Sequence, residues 1–221
     1  MIDCALQRTN MVESQIRPSD VTDRRILRAM AALPRERFVP PSLTALAYMD
    51  EAISLYDVSH RGPARRMLSP RTLAKLIQLA QVEPTDRVLN VGAGRGYGAA
   101  VLARLAATVV ALECDSELAA AAVAALKTEK NVTVVPGATQ TTALAQGVFD
   151  VIVLEGAISA APASLLSQLK VGGRLVAVLN DQGFGRATIW RRLGDTFGQT
   201  TAFEAAITPL PGFERAAKFT F

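Results

Sequence analysis

Three closely spaced glycines and one acid are the residues whose types and spacing point most directly to chemistry. Gly92, Gly94 and Gly96 follow an apolar stretch and precede a predicted helix. Glycine has no Cβ, so this turn can bend tightly and a ligand can approach its backbone. Glu113 comes twenty-one residues after Gly92, at the end of a second apolar run, TVVALE. A carboxylate there can accept hydrogen bonds from the ribose hydroxyls of an adenosine group.

The elements predicted around these residues alternate between strand and helix. Strands are predicted at 87–91, 108–112, 132–136, 150–154, 174–179, 202–208 and 215–221. Helices are predicted at 97–106, 116–127, 162–169 and 186–195. This alternation is typical of a mainly parallel sheet covered on both faces. The last two strands flank a Pro-Leu-Pro-Gly turn, which predicts an antiparallel hairpin.

The glycine pattern is G-x-G-x-G, and together with the hairpin it favours a methyltransferase over a nicotinamide dehydrogenase. We therefore predict an α/β fold: a seven-stranded, Rossmann-like class I methyltransferase sheet with a C-terminal antiparallel hairpin and an N-terminal helical extension. Residues 1–221 are predicted to form one domain, with a helical, substrate-side segment at 1–80 and the cofactor-binding sheet at 81–221.

Within the N-terminal segment two helices are predicted. Residues 10–33 carry a helical pattern, with Asp20 or Thr22 as a candidate cap. Ser69 and Pro70 are typical of a helix start, with serine as the cap and proline at the first position.

Composition narrows the class of protein further. The 221 residues are 50% hydrophobic with a net charge of +4, and no run of eighteen apolar residues occurs. The first ten residues lack the apolar core of a signal peptide, so a cytoplasmic protein without a membrane partner is expected. Two dispersed cysteines and one histidine predict no metal site. The 5% aromatic content argues against a nucleic-acid partner, and the oligomeric state is left open.

Longer stretches, from about residue 10 to 195, resemble the protein-L-isoaspartate O-methyltransferase family. ILRAMAALPRERFVP and AYMDEAISL are similar to N-terminal segments that generic methyltransferases lack. VLNVGAGRGYGAAVLARL is similar to the cofactor loop of the family, and FDVIVLEGA and LLSQLKVGGRLVAVL to two of its strands. The resemblance implies a protein-repair enzyme that transfers a methyl group from S-adenosyl-L-methionine to a carboxylate of a protein or peptide, with S-adenosyl-L-homocysteine as product.

The resemblance also implies roles for single positions near the cofactor. The expected cofactor-binding residues are Asn90, Gly92, Ala93, Gly94, Gly96, Tyr97, Glu113, Cys114, Ala138, Thr139 and Glu155. Cys114 is also read as a packing residue, since it follows a buried strand. For Glu155 the alternatives stay open: it binds the cofactor or the acceptor, or it replaces a small family residue without effect.

The acceptor is expected near the segment Arg61–Arg71, whose four arginines suit an anionic acceptor, either a protein or peptide or a small anion. The alternative is that these arginines belong to a solvated loop without a binding role. Leu68 falls on the position of a family serine beside the methyl acceptor, and Ser69 could take that catalytic position only after a one-residue slip. Asp50 belongs to the substrate-side segment. Arg65 and Arg66 could pair with an acceptor carboxylate.

Three departures from the family pattern affect the expected activity. Leu68 lacks the serine hydroxyl, Ala138 stands where the family has an adenine-binding aspartate, and Asn90 replaces an acid. We therefore expect weak or absent isoaspartyl methylation. Methylation of another acceptor and a cofactor-binding protein without turnover remain alternatives. A nucleotide-sugar or NAD enzyme is less favoured, and an RNA methyltransferase is disfavoured because LEGAISAAP holds no Asn-Pro-Pro-Tyr motif.

Overall fold

The computed structural model of this chain describes residues 3–57, 59–60, 64–137, 146–181 and 183–213. The α-helices within these ranges are α1 (Cys4–Met11), α2 (Arg24–Ala32), α3 (Pro70–Ala80), α4 (Tyr97–Ala103), α5 (Ser116–Leu126) and α6 (Ala163–Leu166). The strands are β1 (Ile53–Ser54), β2 (Arg66–Met67), β3 (Arg87–Val91), β4 (Thr108–Glu113), β5 (Val132–Pro136), β6 (Phe149–Ile158), β7 (Leu169–Asp181), β8 (Phe184–Leu193) and β9 (Thr196–Glu204). None of the helices in these ranges is long and apolar enough to cross a membrane.

Seven of the described strands form one sheet in the order β5-β4-β3-β6-β7-β8-β9. The strands from β5 to β7 run parallel, and β8 and β9 run antiparallel. A short antiparallel pair, β1 and β2, lies outside this sheet. The predicted class I sheet is thus confirmed. Because β3, β4 and β6 are parallel neighbours, their carboxyl ends meet at one edge.

Alternate residues of the central strands enter two separate apolar cores. On β6, Val151 and Val153 belong to one buried cluster, while Ile152 and Leu154 belong to the other. The larger cluster includes the N-terminal helices and α3, so the N-terminal segment packs directly on the sheet. A strand buried on both faces reads as a continuous apolar run, and the sequence shows such a run here.

The helix predicted at 186–195 is wrong, because this segment forms β8. Ala187 and Ile189 enter one core and Trp190 enters the other, since β8 lies between β7 and β9. A helix would bury one stripe only, whereas a central strand buries both faces. The C-terminal hairpin is therefore β8–β9, with Gly194 at φ +67° in its turn. The strand predicted at 202–208 overlaps only the end of β9, and 215–221 lies outside the described residues.

Two N-terminal predictions have different outcomes. Ser69 caps α3 and Pro70 is its first residue, as predicted. The cap of α2 is Asp23, whose carboxylate accepts from the Arg25 backbone, so the predicted caps Asp20 and Thr22 are wrong. Asp20 has φ +64°, which interrupts the helix predicted over 10–33. The backbone N–H of Thr22 donates instead to Gln78, 2.7 Å away.

Candidate functional site

The glycine loop joins β3 to α4 at the carboxyl edge of the sheet. Gly92, Gly94 and Gly96 have φ of +74°, +56° and +94°, values that side-chain-bearing residues rarely adopt. The N–H groups of Gly92 and Ala93 both donate to the carbonyl of Leu112, at 2.9 and 3.2 Å. The loop is thereby fixed against the end of β4. Its backbone conformation therefore requires the glycines that the sequence places there.

Glu113 is the last residue of β4, and its buried carboxylate lies against this loop. Its Oε2 accepts the Gly94 N–H at 2.7 Å, and its Oε1 accepts the Asp115 N–H at 3.0 Å. Arg65 adds a bidentate ion pair, with both N–O distances at 3.0 Å. The structure thus brings Glu113, the predicted ribose-binding acid, to the glycine loop. Its carboxylate is paired there with Arg65.

Arg65 does not face the acceptor side, where its sequence position suggested it would lie. It is 5% exposed, and its Nη2 also reaches the Gly92 carbonyl at 3.4 Å. Burial opposes its charge, yet the neighbouring Glu113 carboxylate holds the pKa of the guanidinium above its ordinary value. The pairing joins residues 48 positions apart, and no local sequence signal pointed to it.

Glu155 lies on β6 where the pairing with β7 is irregular, between Val153 and Ala157. Such bulges redirect a side chain, and here the carboxylate points at α4. A Cβ on Gly98 would lie 1.8 Å from Glu155 Oε1, so a larger residue there would force the Glu155 side chain to move. The same oxygen accepts from Asn90 Nδ2 at 2.9 Å. Burial raises the pKa of Glu155 to about 7, against the opposing effects of Asn90 and Arg35.

Arg35 completes a buried polar cluster with Tyr97, Asn90 and Glu155. Its guanidinium donates to the carbonyls of Ala47 and Leu68, both at 2.7 Å, and lies 4.6 Å from the centre of the Tyr97 ring. Within the described part of the chain, three buried atoms of this cluster find no hydrogen-bond partner: Arg35 Nη1, Asn90 Oδ1 and Tyr97 Oη. Arg35 was not among the site residues predicted from the sequence. Its position in PRERFVPP, the segment that follows α2 and ends in apolar residues, was a signal for a buried arginine.

Two leucines cover the glycine loop. A Cβ on Gly92 would lie 2.4 Å from Leu210 Cδ1, and one on Gly94 would lie 2.7 Å from Leu55 Cδ1. Leu210 is held by its N–H, which donates to the Ala157 carbonyl at 2.8 Å. The cleft left at the loop, lined also by Met67 and Glu155, has a volume of only about 10 Å³. Leu210 was missed because its Pro-Leu-Pro-Gly motif was read only as a turn.

A wider groove lies beside the cleft, and Arg66 lines both. The groove has a volume of about 740 Å³. Its charged residues are Asp50, Glu51, Arg66, Arg71, Lys75 and Glu204. Asp50 and Arg71 form an ion pair at 3.3 Å, and Arg66 is exposed and donates to the Ala52 carbonyl at 2.9 Å. The structure therefore brings Asp50 and Arg66 together at this groove and leaves Arg65 apart. Arg61 lies outside the described residues.

Neither Leu68 nor Ser69, the two candidates for the position of the family serine, offers a free hydroxyl to the cleft. Leu68 is buried, and its carbonyl accepts from Arg35. Ser69 Oγ accepts the Thr72 N–H at 3.3 Å and contacts Thr72 Oγ1 at 3.0 Å, so it acts as the helix cap. These contacts account for Ser69 as a helix cap, and its role beside the acceptor stays a prediction.

Replacing Ser69 with alanine tests this structural role. We expect the free energy of unfolding to fall by about 1 kcal/mol, because the α3 cap is lost. Methyl transfer by the folded variant should be unchanged. Denaturant unfolding and a methyl-transfer assay measure the two effects, with Ser69→Asp as the control that keeps a capping oxygen. Loss of methyl transfer in a fully folded Ser69→Ala variant would show that the Ser69 hydroxyl acts at the acceptor site.

The remaining residues considered in the sequence have different outcomes in the structure. Cys114 is exposed, so the reading as a packing residue is wrong. Ala138 and Thr139 lie outside the described residues. Asp150 accepts the Arg87 N–H at 2.9 Å and the Lys170 ammonium at 2.8 Å, contacts that give it a structural role.

The sheet order, the glycine loop after β3 and the acid ending β4 define a class I methyltransferase fold. Similar solved structures agree. A protein-L-isoaspartate O-methyltransferase gives a TM-score of 0.80 at 23% identity, over 93% of this chain and 66% of that one. A structure described as the same enzyme from Plasmodium falciparum, in complex with S-adenosyl-L-homocysteine, gives 0.74 at 18%, over 92% of this chain and 97% of that one.

The chain belongs to the protein-L-isoaspartate(D-aspartate) O-methyltransferase family, which residues 6–212 match. A protein-L-isoaspartate O-methyltransferase of Roseiflexus castenholzii is 37% identical over 213 residues, 96% of this chain and 94% of that protein. One from Koribacter versatilis is 34% identical, over 94% and 92%. The family resemblance read from the sequence is confirmed, and the chain is an S-adenosylmethionine-dependent methyltransferase.

The polar groups at the glycine loop fit this cofactor in kind. Glu113 offers a carboxylate suited to a ribose diol, and Glu155 offers one suited to an ammonium group. The unpartnered atoms of Arg35, Asn90 and Tyr97 lie in the same buried cluster. Among the residues that the structure describes, the side chains of Leu55, Arg65 and Leu210 occupy the space directly over the loop.

Proposed function

We propose that this chain methylates a carboxylate of a protein or peptide acceptor, and that the acceptor is an isoaspartyl residue. The observation that carries the proposal is the buried Glu113 carboxylate, hydrogen-bonded to the Gly94 N–H of a positive-φ glycine loop at the carboxyl edge of the sheet. The relatives that share 34–38% identity with the chain support this acceptor class, since they are named protein-L-isoaspartate O-methyltransferase.

On the cofactor side, two acids have separate tasks. Glu113 accepts the ribose hydroxyls, and Glu155 receives the ammonium group of the methionine portion. Glu155 thereby supplies the acid that Asn90 lacks on the neighbouring strand, since the two side chains are 2.9 Å apart. When bound, S-adenosylmethionine supplies a methyl group carried on a positively charged sulfur.

On the acceptor side, the protein has little acid–base chemistry to perform. A carboxylate is ionised at neutral pH and needs no general base to become a nucleophile. The chain must therefore orient the acceptor and exclude water. Arg66 lies at the junction of cleft and groove and can attract the carboxylate, while the buried side chains of Leu55, Met67 and Leu68 keep the adjoining surface apolar.

Methyl transfer from labelled cofactor to an isoaspartyl peptide tests the proposal. We expect a base-labile methyl ester on this peptide and none on a peptide of the same sequence with normal aspartate. Turnover should stay below about 1 per second, because Leu68 contributes no hydroxyl to the acceptor. Faster turnover would show that another group replaces the serine. No transfer, with cofactor binding intact, would contradict the isoaspartyl acceptor.

The replacement of the family serine by Leu68 favours one second candidate: methylation of a different anionic acceptor. Its specific support is that Ser69 is engaged as the α3 cap and offers no substitute hydroxyl. Labelled cofactor and a cell extract separated into protein and small-molecule fractions would locate that acceptor. Label in a base-labile ester on protein supports the first proposal, and label on a small acid supports the second.

A further inference from the structure

The Glu113 carboxylate is saturated by donors from its own chain. Each oxygen accepts one backbone N–H and one guanidinium N–H: Gly94 and Arg65 on Oε2, Asp115 and Arg65 on Oε1. The thiol of Cys114 adds a weaker contact at 3.5 Å. A carboxylate has about four acceptor sites, so none is left for a ribose diol.

The four strong donors differ in how easily they can leave. The N–H groups of Gly94 and Asp115 belong to backbone segments fixed at the carboxyl ends of β3 and β4. The other two belong to one side chain, whose removal requires rotation about its own bonds. Arg65 is therefore the group that the ribose hydroxyls must replace, and the two cannot hold Glu113 together.

The space around the ion pair leads to the same conclusion. Arg65 Nη2 lies 3.5 Å from where a Gly92 Cβ would stand, next to Leu210. The remaining cleft of about 10 Å³ has room for about one water molecule and far too little for a nucleoside. A nucleoside-sized ligand enters only when the side chains over the loop move.

We propose that Arg65 is a built-in competitor of the cofactor: its guanidinium pairs with Glu113 in the free protein and is displaced when ribose hydroxyls bind. This inference rests on the proposed cofactor role of Glu113. Breaking the pair opposes cofactor binding, so the observed affinity is the intrinsic affinity reduced by the fraction of molecules in which the pair is open. Arg65 thus raises the cofactor concentration at which half of the enzyme molecules have cofactor bound.

Calorimetric titration with S-adenosyl-L-homocysteine tests the inference on the full chain. Arg65→Met removes the competitor, and we expect the dissociation constant to fall by about tenfold or more relative to the unchanged protein. Arg174→Met is the matched control. It removes a partly buried arginine from an ion pair, 2.6 Å from Asp86, at the opposite edge of the sheet. It should reduce stability similarly and leave the dissociation constant unchanged.

Unchanged or weaker binding by Arg65→Met would overturn the inference and make Arg65 a permanent support of Glu113. If that variant does not fold, Arg65→Lys keeps the charge with a single contact, and equal or weaker binding by it overturns the inference equally. A structure with S-adenosyl-L-homocysteine bound gives a direct readout: Arg65 still bidentate on Glu113 overturns it, and Arg65 displaced supports it. Failure of the unchanged protein to bind the ligand at all would instead overturn the proposed cofactor role, and with it this inference.

Discussion

Replacing Glu113 with alanine is expected to reduce the free energy of unfolding by about 3–5 kcal/mol and to weaken cofactor binding. The first effect arises because the Arg65 guanidinium, 5% exposed, is left buried without its partner. The second arises because a charged hydrogen-bond acceptor is lost, which weakens ligand binding by about 1–3 kcal/mol. Denaturant unfolding and calorimetric titration with S-adenosyl-L-homocysteine measure the two effects separately.

Two variants separate the causes. Glu117→Gln changes an exposed acid four residues away, on α5, and should leave both quantities unchanged. The double variant Arg65→Met, Glu113→Gln removes both charges of the pair, so stability should largely recover while cofactor binding stays weak. If the double variant were as unstable as Glu113→Ala, the loss would come from packing and not from the unpaired guanidinium.

Replacing Glu155 with glutamine is expected to remove most of the site's pH dependence between about pH 4.5 and 7. Burial raises the pKa of Glu155 from 4.5 to about 7, with Asn90, Arg35 and Arg65 acting to lower it and Glu113 to raise it. The folded state therefore binds this proton more tightly than the unfolded state. Its stabilising contribution, about 3 kcal/mol, is complete below pH 4.5 and is lost as the pH rises through 7.

Unfolding measured across pH 4–8 checks this effect. Glutamine resembles the protonated carboxyl group, so the variant should match the unchanged protein near pH 4 and exceed its stability near pH 8. Glu117→Gln should keep the original pH profile. A variant that retained the full pH slope would assign the titration to another group.

The same variant tests the proposed ammonium contact of Glu155. Ionisation of Glu155 creates a negative charge beside the glycine loop, so the affinity of the unchanged protein for S-adenosyl-L-homocysteine should rise between pH 6 and 8. The affinity of Glu155→Gln should be lower at pH 8 and nearly flat over this range. An affinity that fell with pH in the unchanged protein would place the ammonium group elsewhere.

Features set by neighbouring residues were readable from the sequence. The central parallel strands β3, β4 and β6 show nearly continuous apolar runs, because both their faces are buried. Ser69 and Pro70 marked the start of α3, since capping depends on residues three positions apart. The glycine loop and Glu113 followed from the same local pattern, and their placement at one sheet edge follows from parallel strand order.

Tertiary structure alone decided the features that depend on distant residues. Residues 186–193 form a strand because β7 and β9 pair with both of its edges and two apolar cores bury its faces, an environment that no local pattern contains. Arg65 lies in an arginine-rich segment that suggested an acceptor-binding role, yet a carboxylate 48 positions away pairs with it beside the glycine loop. The pKa of Glu155 likewise depends on burial beneath Gly98 and on Asn90. Electrostatic and packing energies depend on distance in space, and only the folded chain sets those distances.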